Sequence, residues 1–232
     1  MKYQFFSFHF ALEILQHPKY NKCLNEIESA VESCPTYVWA NKSSKNRRLD
    51  IVQQLLNTHF DRRLTIDNQW DYHPLGTGIE NSGLAADFRK SFGANFSVQV
   101  EVQFGNMARW YADIFKFQAA FSRNLAHIGV SILPMQSMGR RIDSNVPTYE
   151  RACRELPAAK ESITLPILLV GVEPDINVID IKRSGFSSIK NLTGAGSDKN
   201  RLRLVNGLIA NPDNIANINR DSPVGPDPTN YS

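Results

Sequence analysis

The chain has 232 residues, 42% hydrophobic and 21% charged, with 13 Gly and 12 Pro. This globular composition excludes collagen-like, disulfide-scaffold and wholly disordered chains. A net charge of +3 permits a nucleic-acid partner without demanding one. The longest apolar runs, such as 165–172, are too short to cross a bilayer. Met1-Lys2-Tyr3-Gln4-Phe5 does not open a signal peptide, so a cytoplasmic protein with no membrane partner is expected. Three cysteines leave one unpaired, and with five scattered His they match no zinc spacing. We read them as packing residues in a reducing compartment.

In chain order, residues 10–33 read as helix broken at His17-Pro18, with Pro35 as its stop. A second amphipathic helix is expected over 48–59, preceded by Lys42, Lys45, Arg47 and Arg48, a solvated helix entry or a phosphate-contacting loop. Residues 96–104 alternate without a fault: Phe96, Val98, Val100, Val102 and Phe104 on one face, Ser97, Gln99, Glu101 and Gln103 on the other. Helix 107–124, strand 126–133, a mixed-charge loop 138–146, helix 147–156, strand 166–172 and a further strand within 176–182 follow. Helix 107–124 is apolar over a wide arc. Phe117 and Phe121 suggest a second surface for another subunit, or else the helix is fully buried. Gly194-Ala195-Gly196 reads as a loop, and the tail from Asn211 as disordered or as an arm. The fold class expected is α/β, a mixed central β-sheet flanked by helices. Residues 1–190 would form the main domain and 191–232 a C-terminal extension.

Gly93-Ala94-Asn95 signals a turn between two strand-like legs. Folding the chain about position 94 pairs Phe88 with Val100, Phe92 with Phe96, Ala86 with Val102 and Leu84 with Phe104, all apolar. The same register sets Asp87 opposite Glu101, beside Gln103, and leaves Lys90 opposite Val98 as the single misfit. Two carboxylates forced together repel unless a positive charge intervenes. A divalent cation held by oxygen ligands resolves this, as would an ion pair with Arg89 on a plain surface hairpin.

Asp87, the hairpin and Glu101-Val102-Gln103 resemble the motif of the PD-(D/E)xK nuclease superfamily. Val100-Glu101-Val102-Gln103-Phe104-Gly105-Asn106 is similar to BglII-like type II restriction endonucleases, in which Gln replaces the usual Lys. Further similar segments fall in the family's order between residues 10 and 185, including Leu75-Gly76-Thr77 and Asp143-Ser144-Asn145. The resemblance implies a restriction-endonuclease-like fold and a homodimer cutting both strands of palindromic duplex DNA, with GATC at the site's centre. A methyltransferase of matching specificity would act on the same site without a stable complex. Asp87 and Glu101 would bind Mg²⁺, with Mn²⁺ substituting and Ca²⁺ binding without cleavage, and Gln103 would orient a water or phosphate. Asp87 and Glu101 lie 14 positions apart, farther than in the family pattern, and counting from Leu75 nominates Glu80 instead. The turn favours Asp87. Asn106 is either the N-cap of the next helix or a base contact, and Arg140, Arg141, Asp143, Ser144 and Asn145 would form a DNA-reading loop or else a plain solvated surface loop. The absent lysine keeps open a non-catalytic duplex-binding protein; a structure-selective repair nuclease is a third reading.

Overall fold

The computed structural model describes residues 1–218 and 222–231; of the expected tail arm, 219–221 and 232 lie outside the described residues. In chain order, β1 (Lys2–Phe8) leads to α1 (Ala11–Leu15), α2 (Asn21–Ser33), β2 (Thr36–Val38) and α3 (Gln53–Phe60). Helix α3 widens into a π-type turn over Asp61–Asp67. Then come β3 (Asp71–Tyr72), β4 (Phe88–Ser91), β5 (Ser97–Val102), α4 (Met107–Ser122), β6 (Ile128–Pro134), α5 (Gln136–Ile142) and α6 (Tyr149–Glu155). The chain continues through β7 (Ile167–Glu173), β8 (Val178–Asp180), α7 (Lys190–Thr193) and α8 (Asp198–Ala210).

Six strands form one sheet in the order β1-β7-β6-β5-β4-β3, and β2 pairs with β8 separately. The central strands β5, β6 and β7 are parallel, while β1, β4 and β3 join antiparallel. Parallel strands are buried on both faces, which explains why β6 and β7 read as continuous apolar runs. On one face α4, α6 and the turn that follows α6 pack Trp110, Ile114, Phe117, Tyr149 and Leu156 against Leu133, Ile167 and Leu169. The opposite face meets Leu24, Ile27, Leu55, Phe60, Leu204 and Val205 through Val98, Val100, Val130, Ile132 and Val170. The expected α/β class with a mixed, helix-flanked sheet is what forms. Leu192, Leu208, Ile215 and Ile218 from beyond residue 190 belong to that same core cluster.

Several elements differ from the sequence reading. β1, β2 and β3 were not anticipated: β1 (KYQFFSF) lacks strict alternation, and the others are two or three residues long. The expected helix 48–59 begins only at Gln53, because Ile51 is drawn into a bridge with Val38. The expected loop 138–146 is helical through Ile142, where Met138 and Ile142 turn into the core. The strand expected within 176–182 shortens to three residues.

Candidate active site

The site is built where β4 leaves β5. Their observed register pairs Phe88 with Val100, Arg89 with Gln99, Lys90 with Val98 and Ser91 with Ser97, the alignment that the Gly93 turn implied. The ladder ends there. The pairs expected between Ala86 and Val102 and between Leu84 and Phe104 do not form. Ala86 N donates to Pro74 O, and Gly76 N donates to Leu84 O, so this leg turns to the 74–76 segment. Asp87 sits at the fork, and its Oδ2 accepts from Val102 N at 2.7 Å. Lys90, the misfit, is held by both Glu26 oxygens at 2.9 Å, and Trp70 Nε1 donates to the same carboxylate at 2.8 Å. That partly buried pair anchors β4 to α2.

The polar face of β5 is not open to water. Gln99, Glu101 and Gln103 are buried beneath α4, and Glu101 is 1% exposed. Glu101 Oε1 accepts from Gln99 Nε2 at 3.0 Å and Oε2 from Lys116 Nζ at 2.6 Å. Arg89, the cation considered for bridging the two acids, instead donates to Gln99 Oε1 at 2.7 Å. Gln103 Nε2 donates to Asp113 Oδ2 at 2.9 Å, and its Oε1 accepts from Gly105 N at 3.0 Å. Asp113 and Lys116 were missed from the sequence. Their signal is a charged pair, three residues apart, interrupting the apolar arc of α4.

Charge is crowded here. Burial pushes the Asp87 carboxyl up to about 6, against the hydrogen bond from Val102 and the nearby Lys116 charge. Burial, then the charges of Asp87 and Asp113, push the Glu101 carboxyl well above its ordinary value, against the pull of Lys116. Burial works to lower the Lys116 ammonium, but Glu101 and Asp113 together raise it. An opening cavity of about 960 Å³ gives access, lined among others by His73, Asp87, Gln103, Arg109, Asp113 and Lys116. Asp61 also lines it, with its carboxyl raised well above normal by burial and then by Asp87. The opposite wall comes from Asp198, Lys199 and Arg201 of α8 and from Asp227, Pro228 and Thr229. Glu80 is exposed on the loop before β4 and does not line this cavity.

Among the described residues, no group of three or more His, Cys, Asp or Glu is placed to hold a metal ion. A hard cation takes oxygen ligands such as these two carboxylates, but both Glu101 oxygens are held, by Gln99 Nε2 and by Lys116 Nζ.

The expected reading residues divide. Asn106 is exposed, and its side chain caps α4, accepting from Ala108 N at 2.8 Å. Asp143, Ser144 and Asn145 form an exposed loop, tied to the start of α4 because Met107 N donates to Asn145 O at 2.9 Å. Arg140 and Arg141 lie on α5 rather than in that loop. Arg141 is paired bidentately with Asp50 at 2.9 and 2.8 Å. Arg140 lines a smaller cavity of about 330 Å³ with Asn46, Arg48, Asp143 and Ser144. The surface expected at Phe117 and Phe121 is corrected too. Phe117 is 0% exposed, its ring over Gly129 of β6, and Phe121 packs against the α4–α6 core cluster. Tyr111 and Phe115 are the exposed rings of α4, at 47% and 60%.

A mixed sheet flanked by helices, with acids gathered where β4 leaves β5 beneath α4, defines an α/β protein with a candidate active site at that fork. The sequence profile described as "Endonuc-BglII: Restriction endonuclease BglII/BglIII" matches residues 3–172. The chain therefore belongs to the BglII/BglIII restriction endonuclease family, and is a type II site-specific deoxyribonuclease. Among solved structures it is similar to restriction endonuclease BglII complexed with a DNA 16-mer, at TM-score 0.59 and 21% identity, over 78% of each chain. Free BglII matches at TM-score 0.49 and 19% identity, over 75% of this chain and 81% of that one. No curated protein sequence matches. Among the described residues, no helix is long and apolar enough to cross a membrane.

Proposed function

We propose that this endonuclease uses Mg²⁺ held by Asp87 and Glu101 to hydrolyse both strands of a short palindromic DNA duplex centred on GATC. The carrying observation is Asp87 at the fork of the sheet, close enough to Glu101 for its charge to help raise that carboxyl, with Lys116 offsetting only part of the crowded negative charge. A divalent cation held by Asp87 and Glu101 would supply positive charge to the phosphate and would lower the pKa of a bound water. Mn²⁺ would substitute, and Ca²⁺ would bind without supporting cleavage. Gln103 cannot act as a base near neutral pH. With one amide hydrogen spent on Asp113, it keeps a second for a phosphate oxygen or water.

The duplex lies across the cavity mouth, with Asn106, Arg140, Asp143, Ser144 and Asn145 as the reading surface and Arg141 holding α5 to Asp50. Two copies pack α4 and α6 across a two-fold axis, so that one site faces each strand. Tyr111 and Phe115 supply the apolar part of that surface, and the Arg151–Glu155 pair beside Tyr111 supplies its polar rim. Residues 191–232 extend the nuclease domain. The protein works in the cytoplasm, alongside a methyltransferase that protects the same site without a stable complex.

A plasmid digest with and without Mg²⁺ tests the reading. Discrete fragments that require Mg²⁺ are expected, with cleavage abolished in Glu101→Ala while DNA binding in Ca²⁺ persists. Wild-type cutting by that variant refutes the site. Parallel Asp87→Ala and Glu80→Ala variants decide the second acid.

A further inference from the structure

Position 103 of the catalytic strand carries an amide where the nuclease motif it resembles carries lysine. The structure brings an ammonium to that neighbourhood from another element. One carboxylate marks the coincidence: Asp113 Oδ2 accepts from Gln103 Nε2 at 2.9 Å, and its Oδ1 lies 2.9 Å from Lys116 Nζ. The tip of side chain 103 and the Lys116 ammonium therefore flank the same group.

Lys116 is also fully committed. Besides Asp113 it donates to Glu101 Oε2 at 2.6 Å and to Ala85 O at 3.0 Å, so three oxygens meet its three N–H groups. A buried lysine without such partners would be costly. Residues 113 and 116 share a helix face that looks down on the polar row 99, 101 and 103 of β5. Lys116 also borders the open cavity, whereas Glu101 lies closed behind it.

We propose that Lys116, delivered from α4, performs the task of the lysine absent from position 103: it holds the Glu101 carboxylate and fixes a positive charge at the phosphate-binding end of the site. It is a positioning residue acting through Glu101 and Asp113. The proposal rests on the nuclease reading above.

The probe is a plasmid that the wild type linearises, together with a labelled fragment of it spanning the cut. Single-turnover cleavage, fragment binding in Ca²⁺ and thermal unfolding are measured for Glu101→Ala, Lys116→Met and the double variant Gln103→Lys/Lys116→Met. Lys116→Met is expected to cut at least about 100-fold slower, the loss typical of a preorganised electrostatic group. Its fragment affinity should stay within about threefold, which separates a chemical from a binding defect. The double variant, with its ammonium on the other side of Asp113, should recover at least about tenfold of the lost rate. A purely structural lysine would not be rescued by a new charge at 103. Cutting by Lys116→Met within threefold of wild type, or a folded double variant with no recovery, overturns the proposal. If Lys116→Met does not fold, the double variant decides alone. An inactive wild type, or an active Glu101→Ala, would instead bring down the nuclease reading itself.

Discussion

Asp87→Asn should give a more stable protein that no longer cuts DNA. Its carboxyl is pushed up to about 6 by burial, although Val102 N donates to it and Lys116 and Arg109 lie near. An unfolded aspartate titrates near 3.9, so the folded state holds its proton to higher pH than the unfolded chain. Between these values the folded state binds more protons, and stability falls as pH rises. At about 1.4 kcal/mol per pH unit, the full penalty above pH 6 is about 3 kcal/mol. Asparagine removes the charge and keeps an oxygen for Val102 N. Because Asp87 is partly rather than wholly buried, water screening reduces the gain to about 1–3 kcal/mol at neutral pH. Removing that charge also relieves Glu101, which Asp87 raises, and this acts in the same direction. Urea denaturation of both proteins in EDTA, at several pH values from about 4 to 8, reads the difference. The gap should be largest above pH 6 and close toward pH 4. A less stable variant at neutral pH, or a gap independent of pH, would show that burial at the fork does not strain this carboxylate.

Gly129→Ala should cost about 1–3 kcal/mol in denaturation, because an added Cβ would lie 2.8 Å from Phe117 Cγ and force α4 away from β6. Cleavage should fall further than stability alone accounts for, since Asp113 and Lys116 ride on that helix; unchanged cleavage would contradict this. Phe115→Glu should shift sedimentation toward monomer and turn double-strand cutting into nicking, with stability within about 0.5 kcal/mol of wild type. Phe117→Asp, by contrast, should unfold the protein rather than dissociate it.

The hairpin was legible because it obeys two local rules at once, a glycine turn and a strict alternation that fixes register. Phe88 against Val100 follows from those alone. Their reach ends at Asp87, where the chain turns to pair with 74–76, a contact set by residues that carry no periodic pattern. The central strands and most helices were visible from their apolar runs. β1 was not, because as a flanking strand its fit depends on β7, distant in sequence. α5 was hidden for a related reason: Arg140 and Arg141 made the segment look like a loop, while Met138 and Ile142 on its other side reach the core. Half of the site, Asp113 and Lys116, was obscured by the apolar residues around it.

That concealment follows from how α4 works. A helix covering a sheet needs apolar side chains, and Trp110, Ile114 and Phe117 supply them against the sheet. The same face must satisfy Glu101 and Gln103, which cannot be buried without partners. Asp113 and Lys116 meet that need, so the hydrophobic docking of α4 sets the geometry of the charged groups. Glycine at 129 lets Phe117 sit close enough for Lys116 to reach Glu101. The site is thus as well positioned as the packing above it, and its acids are strained by the burial that positions them. A substitution that improves stability at Asp87 and one that loosens packing at Gly129 should both lower cleavage, from opposite sides of the same interface.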